Sequence, residues 1–416
     1  MERSIKLSIE YHCPQCGAPA ELTETDRIFS CDYCRVKSYL VPPVYFRYIL
    51  PHNANSDREL LYFPYWRFKG MLFSCVADRV DDRFVDTSQQ AVASEHFPFS
   101  AGLRPQVGKL TFATKKSQGR FLRPDIAYAD VIDLFKDSRL RFLPKPIHHQ
   151  SYIGETVSLL YAPFYVYDRL FDAMLNKPIT NDIPQGLLTT LEASEKIQNE
   201  TRFFAAICPA CGWDLEGEGD ASVLLCRNCE TAWQPTQKGF TKLPFVCLTD
   251  MGQFKISLPF WRFRADIDGI SLRTIADFTR VANLSNLANG AIGRKDTQTR
   301  FHFWVPAFKV QPKMLLTLSR RITVAQPRTD GNRKFPEGSV IPANLPVIEA
   351  SQALKIILAE FAKPSKVYFP KLNQIRITPR KALLVYIPFD EDHHDYVQPK
   401  LSLGLSKRLL TLAENL

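Results

Sequence analysis

The sequence predicts an α+β, β-rich protein built by internal duplication, and three observations predict it. Cys13-x-x-Cys16 and Cys31-x-x-Cys34 recur 195 positions later as Cys208-x-x-Cys211 and Cys226-x-x-Cys229, each copy with 14 residues between its pairs. The same offset carries Pro64, Trp66, Arg67 and Phe68 onto Pro259, Trp261, Arg262 and Phe263 with no net insertion. Between and after these motifs, proline-aromatic runs alternate with period 2, while helical spacing is scarce. The 416 residues suit two to four domains at roughly 150 residues each, and the repeat favours two similar halves. Hydrophobic content of 45% with 23% charged residues is that of an ordinary globular chain without disordered tails.

The first element of each half is the cysteine cluster. Eight of the ten cysteines sit at metal-ligand spacing, and nothing else in the chain implies the oxidising compartment that disulfides need. A Cys-x-x-Cys turn aims two thiolates at one ion, and a second turn across a short hairpin completes a tetrahedron about 2.3 Å from each sulfur. Pro14 and Pro209 stiffen the first turn, and Gly17 and Gly212 supply the positive φ that bends the chain away. The expectation is two zinc ribbons, holding Zn2+ through Cys13, Cys16, Cys31 and Cys34 and through Cys208, Cys211, Cys226 and Cys229. Four sulfurs leave no open position, so both ions are structural and neither activates water. A redox Cys-x-x-Cys would need a βαβ context that is missing. Cys75 and Cys247 do not share the offset and read as buried free thiols.

The next element is a strand, Phe63-Pro-Tyr-Trp-Arg-Phe68 in one half and Leu258-Pro-Phe-Trp-Arg-Phe263 in the other. Alternation puts Trp66 with Phe68, or Trp261 with Phe263, on a core face. The opposite face pairs Tyr65 with Arg67 and Phe260 with Arg262, either as cation-π cover for the sheet or as a surface for a partner. The proline lacks a ladder donor, which places it at a strand start or edge and leaves room for β-augmentation. Looser relatives follow at Ala162-Pro-Phe-Tyr-Val-Tyr167, Val305-Pro-Ala-Phe-Lys-Val310 and Ile387-Pro-Phe389. A second internal match, at an offset of 87, sets Val310 to Arg321 against Val397 to Arg408 and is read as a pair of related β-units; Gly102 to Leu110 resembles it weakly. Helical spacing is confined to Asp125–Lys136 and Pro346–Ala362, which are expected to cover the sheets. The resulting order is ribbon 1 at 1–40, β-rich domain 1 at 41–180, a linker at 181–203, ribbon 2 at 204–236 and β-rich domain 2 at 237–416, each domain mainly antiparallel.

Charge supplies an alternative function. The formal net charge is +10, and from Phe301 to Leu416 there are 17 Lys and Arg against 9 Asp and Glu. The pairs Arg320-Arg321 and Lys407-Arg408 are the candidate nucleic-acid contacts, beside Arg333-Lys334 and Arg380-Lys381, although such pairs are ordinarily solvated strand ends. Enzyme signatures are missing: there is no Gly-x-Gly-x-x-Gly, Walker loop, Gly-x-Ser-x-Gly or His-Glu-x-x-His. Asp390-Glu-Asp-His-His-Asp395 reads as a solvated turn between strands, and His148-His149 as a loop. No run of about 18 uncharged apolar residues occurs, and Met1 to Lys6 lacks the apolar core of a signal peptide. A cytoplasmic location is expected, with membrane association only through a partner.

Cys-Pro-x-Cys-Gly ribbons followed by Leu258-Pro-Phe-Trp-Arg-Phe-Arg-Ala-Asp-Ile-Asp-Gly269 resemble bacterial TFIIB-type zinc-ribbon proteins, which are often loosely labelled primosomal-protein-N′-like. The resemblance covers about a quarter of the chain, the ribbon and the strand after it. Some members of that class accompany SPFH-domain and phage-shock proteins, which implies adaptor work near a membrane; the helicase label has no support in these residues. The expected function is a non-catalytic zinc-binding scaffold or adaptor for a protein partner, and the alternative is nucleic-acid binding through the basic C-terminal third.

Overall fold

Strand dominates the computed structural model, which describes residues 7–102, 104–131, 144–187, 194–198, 200–249, 256–284, 298–336, 338–408 and 410. The first cysteine cluster lies between two hairpins, β1 (Ser8–His12) with β2 (Pro19–Thr23) and β3 (Ile28–Ser30) with β4 (Lys37–Val41). After it come β5 (Phe46–Ile49), β6 (Leu61–Val76), β7 (Arg79–Gln90), a single helical turn α1 (Arg104–Val107), β8 (Leu110–Phe112), β9 (Arg120–Leu122), β10 (Ile147–Val166), β11 (Leu170–Asp172), β12 (Lys177–Pro178) and β13 (Ser194–Glu195). These strands join β1 and β2 in an 11-stranded mixed sheet. The second cluster is carried by β14 (Arg202–Ala205), β15 (Leu224–Cys226), β16 (Thr231–Thr236) and β17 (Gly239–Leu243). A 7-stranded sheet follows, made of β18 (Phe245–Cys247), β19 (Ile256–Asp268), β20 (Phe303–Pro306), β21 (Ser339–Val340), β22 (Arg376–Glu391), β23 (Asp395–Gln398) and β24 (Leu403–Ser406). Its helices are α2 (Ile275–Val281), α3 (Pro312–Ala325), α4 (Val347–Gln352), α5 (Leu354–Phe361) and α6 (Ser365–Tyr368).

The two large sheets share a pairing scheme. β10 takes β6 antiparallel on one side and β5 parallel on the other, and β22 takes β19 antiparallel and β18 parallel. Pro64 faces Tyr161 and Pro259 faces Tyr386. On the outer side, Leu61 and Tyr62 pair parallel with β9, while Ile256 and Ser257, each 195 residues later, pair parallel with β21. Trp66 and Trp261 each donate an indole N–H to a backbone carbonyl, of Ile126 and Leu345, at 2.8 Å.

This scheme corrects the reading of the proline. Pro64 lies inside β6, where β9 has ended and β7 has not begun, and its carbonyl accepts from Ala91 N at 3.0 Å. Pro259 sits likewise between β21 and β20, accepting from Ala307 N at 3.0 Å. The missing N–H therefore falls at a change of neighbour rather than at a free edge, and the chain's own strands fill the side on which a partner strand would have to add.

The second correction concerns the expected partner face. Alternation along β6 holds, but both faces are covered: Phe63 and Tyr65 enter one core cluster, Trp66 and Phe68 another. Tyr65 and Phe260 are fully buried, Arg67 is 7% exposed and Arg262 half-buried. Tyr65 donates its hydroxyl to the carbonyl of Pro98 at 2.8 Å, and Arg67 is held by Glu24 and Asp86. Tyr65, Arg67 and Phe260 are thus held in the interior, while Arg262 lines a cavity of the second sheet.

Helices correct the sequence reading a third time. Pro346–Ala362 is helical as expected, in two pieces, α4 and α5. Of Asp125–Lys136, residues 128–131 are helical and the remainder lies outside the described residues. The segment read as one of two related β-units is α3, with Gln311 as N-cap and Pro312 in the first turn, where its fixed φ and missing N–H cost nothing. Its match at Gln398-Pro399 opens a single 3-10 turn before β24, so the two segments share a helix-start signal and not a fold. His148, expected in a loop, lies in β10 with its ring against Phe369.

The halves do not keep separate cores. Met71, Phe73 and Cys75 of β6 and Ile153 of β10 belong to the large cluster built around Trp261, Phe303, Leu315 and Ile357. That packing buries the C-terminal part of β6, and the first half's own clusters bury the rest of its 16 residues. Cys75 and Cys247 are buried as expected, and burial pushes both thiols up to about 12.

Candidate metal centres and the junction around them

Each cysteine cluster is set by backbone hydrogen bonds that close its turns. Gly17 N donates to Cys13 O at 2.8 Å and Arg35 N to Cys31 O at 2.8 Å; in the second cluster Gly212 N donates to Cys208 O at 2.9 Å. Gly17 and Gly212 both take φ 75°, as their positions predict. Arg35 and Glu230, just past the second pair in each cluster, also have positive φ, 60° and 52°. The repeated turn fixes where the sulfurs point.

The sulfurs converge. Within each set of four, Cys13, Cys16, Cys31 and Cys34 or Cys208, Cys211, Cys226 and Cys229, all Sγ atoms lie within 4.8 Å of one another. Cys13–Cys34 and Cys16–Cys31 are separated by 3.7 and 3.6 Å, and Cys208–Cys229 and Cys211–Cys226 by 3.6 and 3.5 Å. A tetrahedron with metal–sulfur bonds of about 2.3 Å has edges of about 3.8 Å, so the donor sets fit one four-coordinate ion each, consistent with zinc. All eight predicted ligands are brought together, four and four.

The two centres are joined to each other. β14, just ahead of Cys208, pairs antiparallel with β4, just after Cys34, so the first ribbon's outer hairpin becomes a three-stranded sheet with a strand from the second. Arg27 N and Ile28 N donate to Gly219 O at 2.9 and 3.0 Å, and Tyr39 donates its hydroxyl to Ala221 O at 2.9 Å. Ile28, Tyr39 and Val41 then share a core with Leu215, Leu224 and Trp233. The far side of the same loop holds the second sheet: Asp220 takes Lys309 at 2.6 Å and Asn344 at 3.0 Å, and Ser222 N donates to Ala343 O at 2.7 Å.

Above this junction lies a groove of about 750 Å³ between the first ribbon, β10 and α4. Its rim carries Val44, Tyr128 and Ile348, large apolar side chains that are 77%, 43% and 70% exposed. Arg27, Tyr152 and Lys309 line its interior. No local sequence pattern announces it, since its walls come from residues about 300 positions apart, brought together by the junction.

The cations predicted for nucleic acid meet protein groups. Arg320 lies 3.9 Å from Glu360, Arg321 donates to Ser402 O at 3.0 Å, and Lys407 pairs with Glu391 at 2.8 Å; Arg408 is exposed. A denser basic cluster lies elsewhere, in a cavity of about 470 Å³ on the second sheet lined by Arg262, Arg264, Arg300, His302 and Lys381. Arg262 donates to His302 Nε2 at 3.0 Å, and burial with that guanidinium pushes the imidazole down to about 4, which keeps it neutral. The turn Asp390–Asp395 joins β22 to β23 and is exposed, as expected. Among the described residues no helix is long and apolar enough to cross a membrane.

Comparison with protein-family models, with curated proteins and with solved structures finds no match.

Proposed function

We propose that this chain is a non-catalytic scaffold, duplicated in origin, in which two structural zinc ions fix a junction that receives a segment of a protein partner. The observation that carries the reading is the position of the two tetracysteine centres. Each brings together four thiols and, among the described residues, no further His or carboxylate, and the ribbons they close are tied to each other and to both sheets. Metal placed so supplies folding energy rather than a reactive site. The shared registers of β6 with β10 and β19 with β22 support the duplication. The exposed rim of Val44, Tyr128 and Ile348 beside the junction supports the partner-binding face, because apolar side chains clustered on a concave surface lose water on contact.

The test compares proteins co-purified with the wild-type chain, with Val44→Asp and Ile348→Asp, and with Phe99→Asp, an exposed aromatic away from the groove. The scaffold reading expects a partner that both groove variants lose at least tenfold, that Phe99→Asp retains, and that rebinds as a purified component. A set of co-purified proteins identical in all four samples would sink it.

A further inference from the structure

Arg67 and Lys69 of β6 are buried cations, and both reach one carboxylate, Glu24 of the first ribbon, at 3.2 and 3.9 Å. The residues 195 positions later are Arg262 and Arg264 of β19, again two cations, but the counterpart of Glu24 is Gly219. The second half has kept the positive charges and has no carboxylate where the first half neutralises them. It adds more: Lys381 of β22 stands directly across from Arg264, and Arg300 and His302 close the same cavity. Like charges directly opposite on a sheet repel, and water screens this pair only from the exposed Lys381 side. Among the described residues no ion pair joins Arg264, Arg300 or Lys381 to an acid. Asp266, the carboxylate that feels Arg264 and Arg300, is bonded to Arg380 at 2.7 Å, while Asp330 lies near Arg262.

We propose that this cavity binds a multiply charged phosphate group, which takes the place that Glu24 holds in the first half. Three guanidinium groups and an ammonium suit a phosphate better than a carboxylate, because planar forks bond two oxygens at once and the cluster carries more charge than a single negative ion balances. The volume of about 470 Å³ lies in the range of small-ligand sites and exceeds what one phosphate fills. Neutral His302 accepts from Arg262 and so holds that guanidinium without adding to the repulsion. The phosphate has two sources that share this chemistry, a free pyrophosphate-bearing metabolite and the phosphorylated end of a nucleic acid.

Calorimetric titration of the full chain at low salt distinguishes them, with inorganic pyrophosphate and with a short single-stranded oligonucleotide with or without a 5′-phosphate. Pyrophosphate is expected to bind, and Arg264→Gln and Lys381→Gln are each expected to weaken it at least tenfold, while Arg120→Gln in the first half leaves it unchanged. Without ligand, both cavity variants should melt at or above the wild-type temperature, since each removes repulsion. Oligonucleotide binding that needs the 5′-phosphate and is displaced by pyrophosphate assigns the site to nucleic-acid ends; pyrophosphate binding alone assigns it to metabolites. No pyrophosphate binding by the wild-type chain, or equal binding by both variants, would overturn the proposal.

Discussion

Arg67 donates to Glu24 across 3.2 Å, and this bond joins the middle of the longest buried strand of the first sheet to the first ribbon. Glu24 is 2% exposed and Lys69, its second partner, not at all. Glu24→Gln leaves two buried cations facing a neutral amide, with Asp86 still at Arg67. Breaking a buried pair from one side costs about 3–5 kcal/mol, so chemical denaturation should show a loss of that order. Adding Lys69→Met should restore part of it, because an apolar side chain of similar length needs no counter-charge. A double variant as unstable as the single one would show that Lys69 is not what Glu24 neutralises.

Each ribbon should bind its own ion. Purified protein is expected to carry two zinc ions per chain, Cys13→Ser and Cys226→Ser one each, and the double variant none, by elemental analysis. Because the centres share a core through Ile28, Tyr39 and Leu224, loss of either ion should lower a common melting transition and not split it in two.

The two tryptophans make a matched pair of probes. Trp66→Phe and Trp261→Phe keep most of the buried ring but leave the carbonyls of Ile126 and Leu345 without the indole N–H. Each should cost about 1–3 kcal/mol in urea unfolding. A neutral Trp261→Phe would mean that the Leu345 carbonyl finds another donor.

Stability should fall in mild acid through His302. Its folded value of about 4 lies below the ordinary 6.5, so between these values the unfolded chain takes up a proton that the folded chain refuses. The contribution is complete above about pH 6.5 and is lost as the pH falls toward 4, with an amplitude of up to about 2 kcal/mol after allowance for solvent screening. His302→Asn should flatten the denaturation midpoint across that window relative to wild type.

What could be read from the sequence was what local spacing determines. The eight ligands were legible because a four-residue turn sets where its own two sulfurs point, and Gly17 and Gly212 adopt the positive φ that their places required. Helix α3 was missed although Leu315, Leu318 and Ile322 carry its spacing, because Gln311-Pro312 resembled Gln398-Pro399 and that likeness belongs to helix starts generally. The partner face was misplaced for a different reason. Alternation assigns residues to two faces of a strand, but it cannot say that the first ribbon, the segment from Ala91 to Ala101 and residues of the second half cover both, and Tyr65 donates to Pro98, 33 positions away. The basic cavity draws on Arg262, Arg300 and Lys381, which strand register assembles across about 120 positions.

The pairing of β4 with β14 has a consequence for how the chain is made. Residues 37–41 leave the ribosome some 160 positions before residues 202–205, and until those arrive the first ribbon has an unpaired outer strand carrying Tyr39, Leu40 and Val41. A bare apolar edge recruits whatever strand is nearest, including another nascent copy. Synthesis halted before residue 202 should therefore yield polypeptide that clumps even with its first ion in place, because β14 is the strand that pairs this edge.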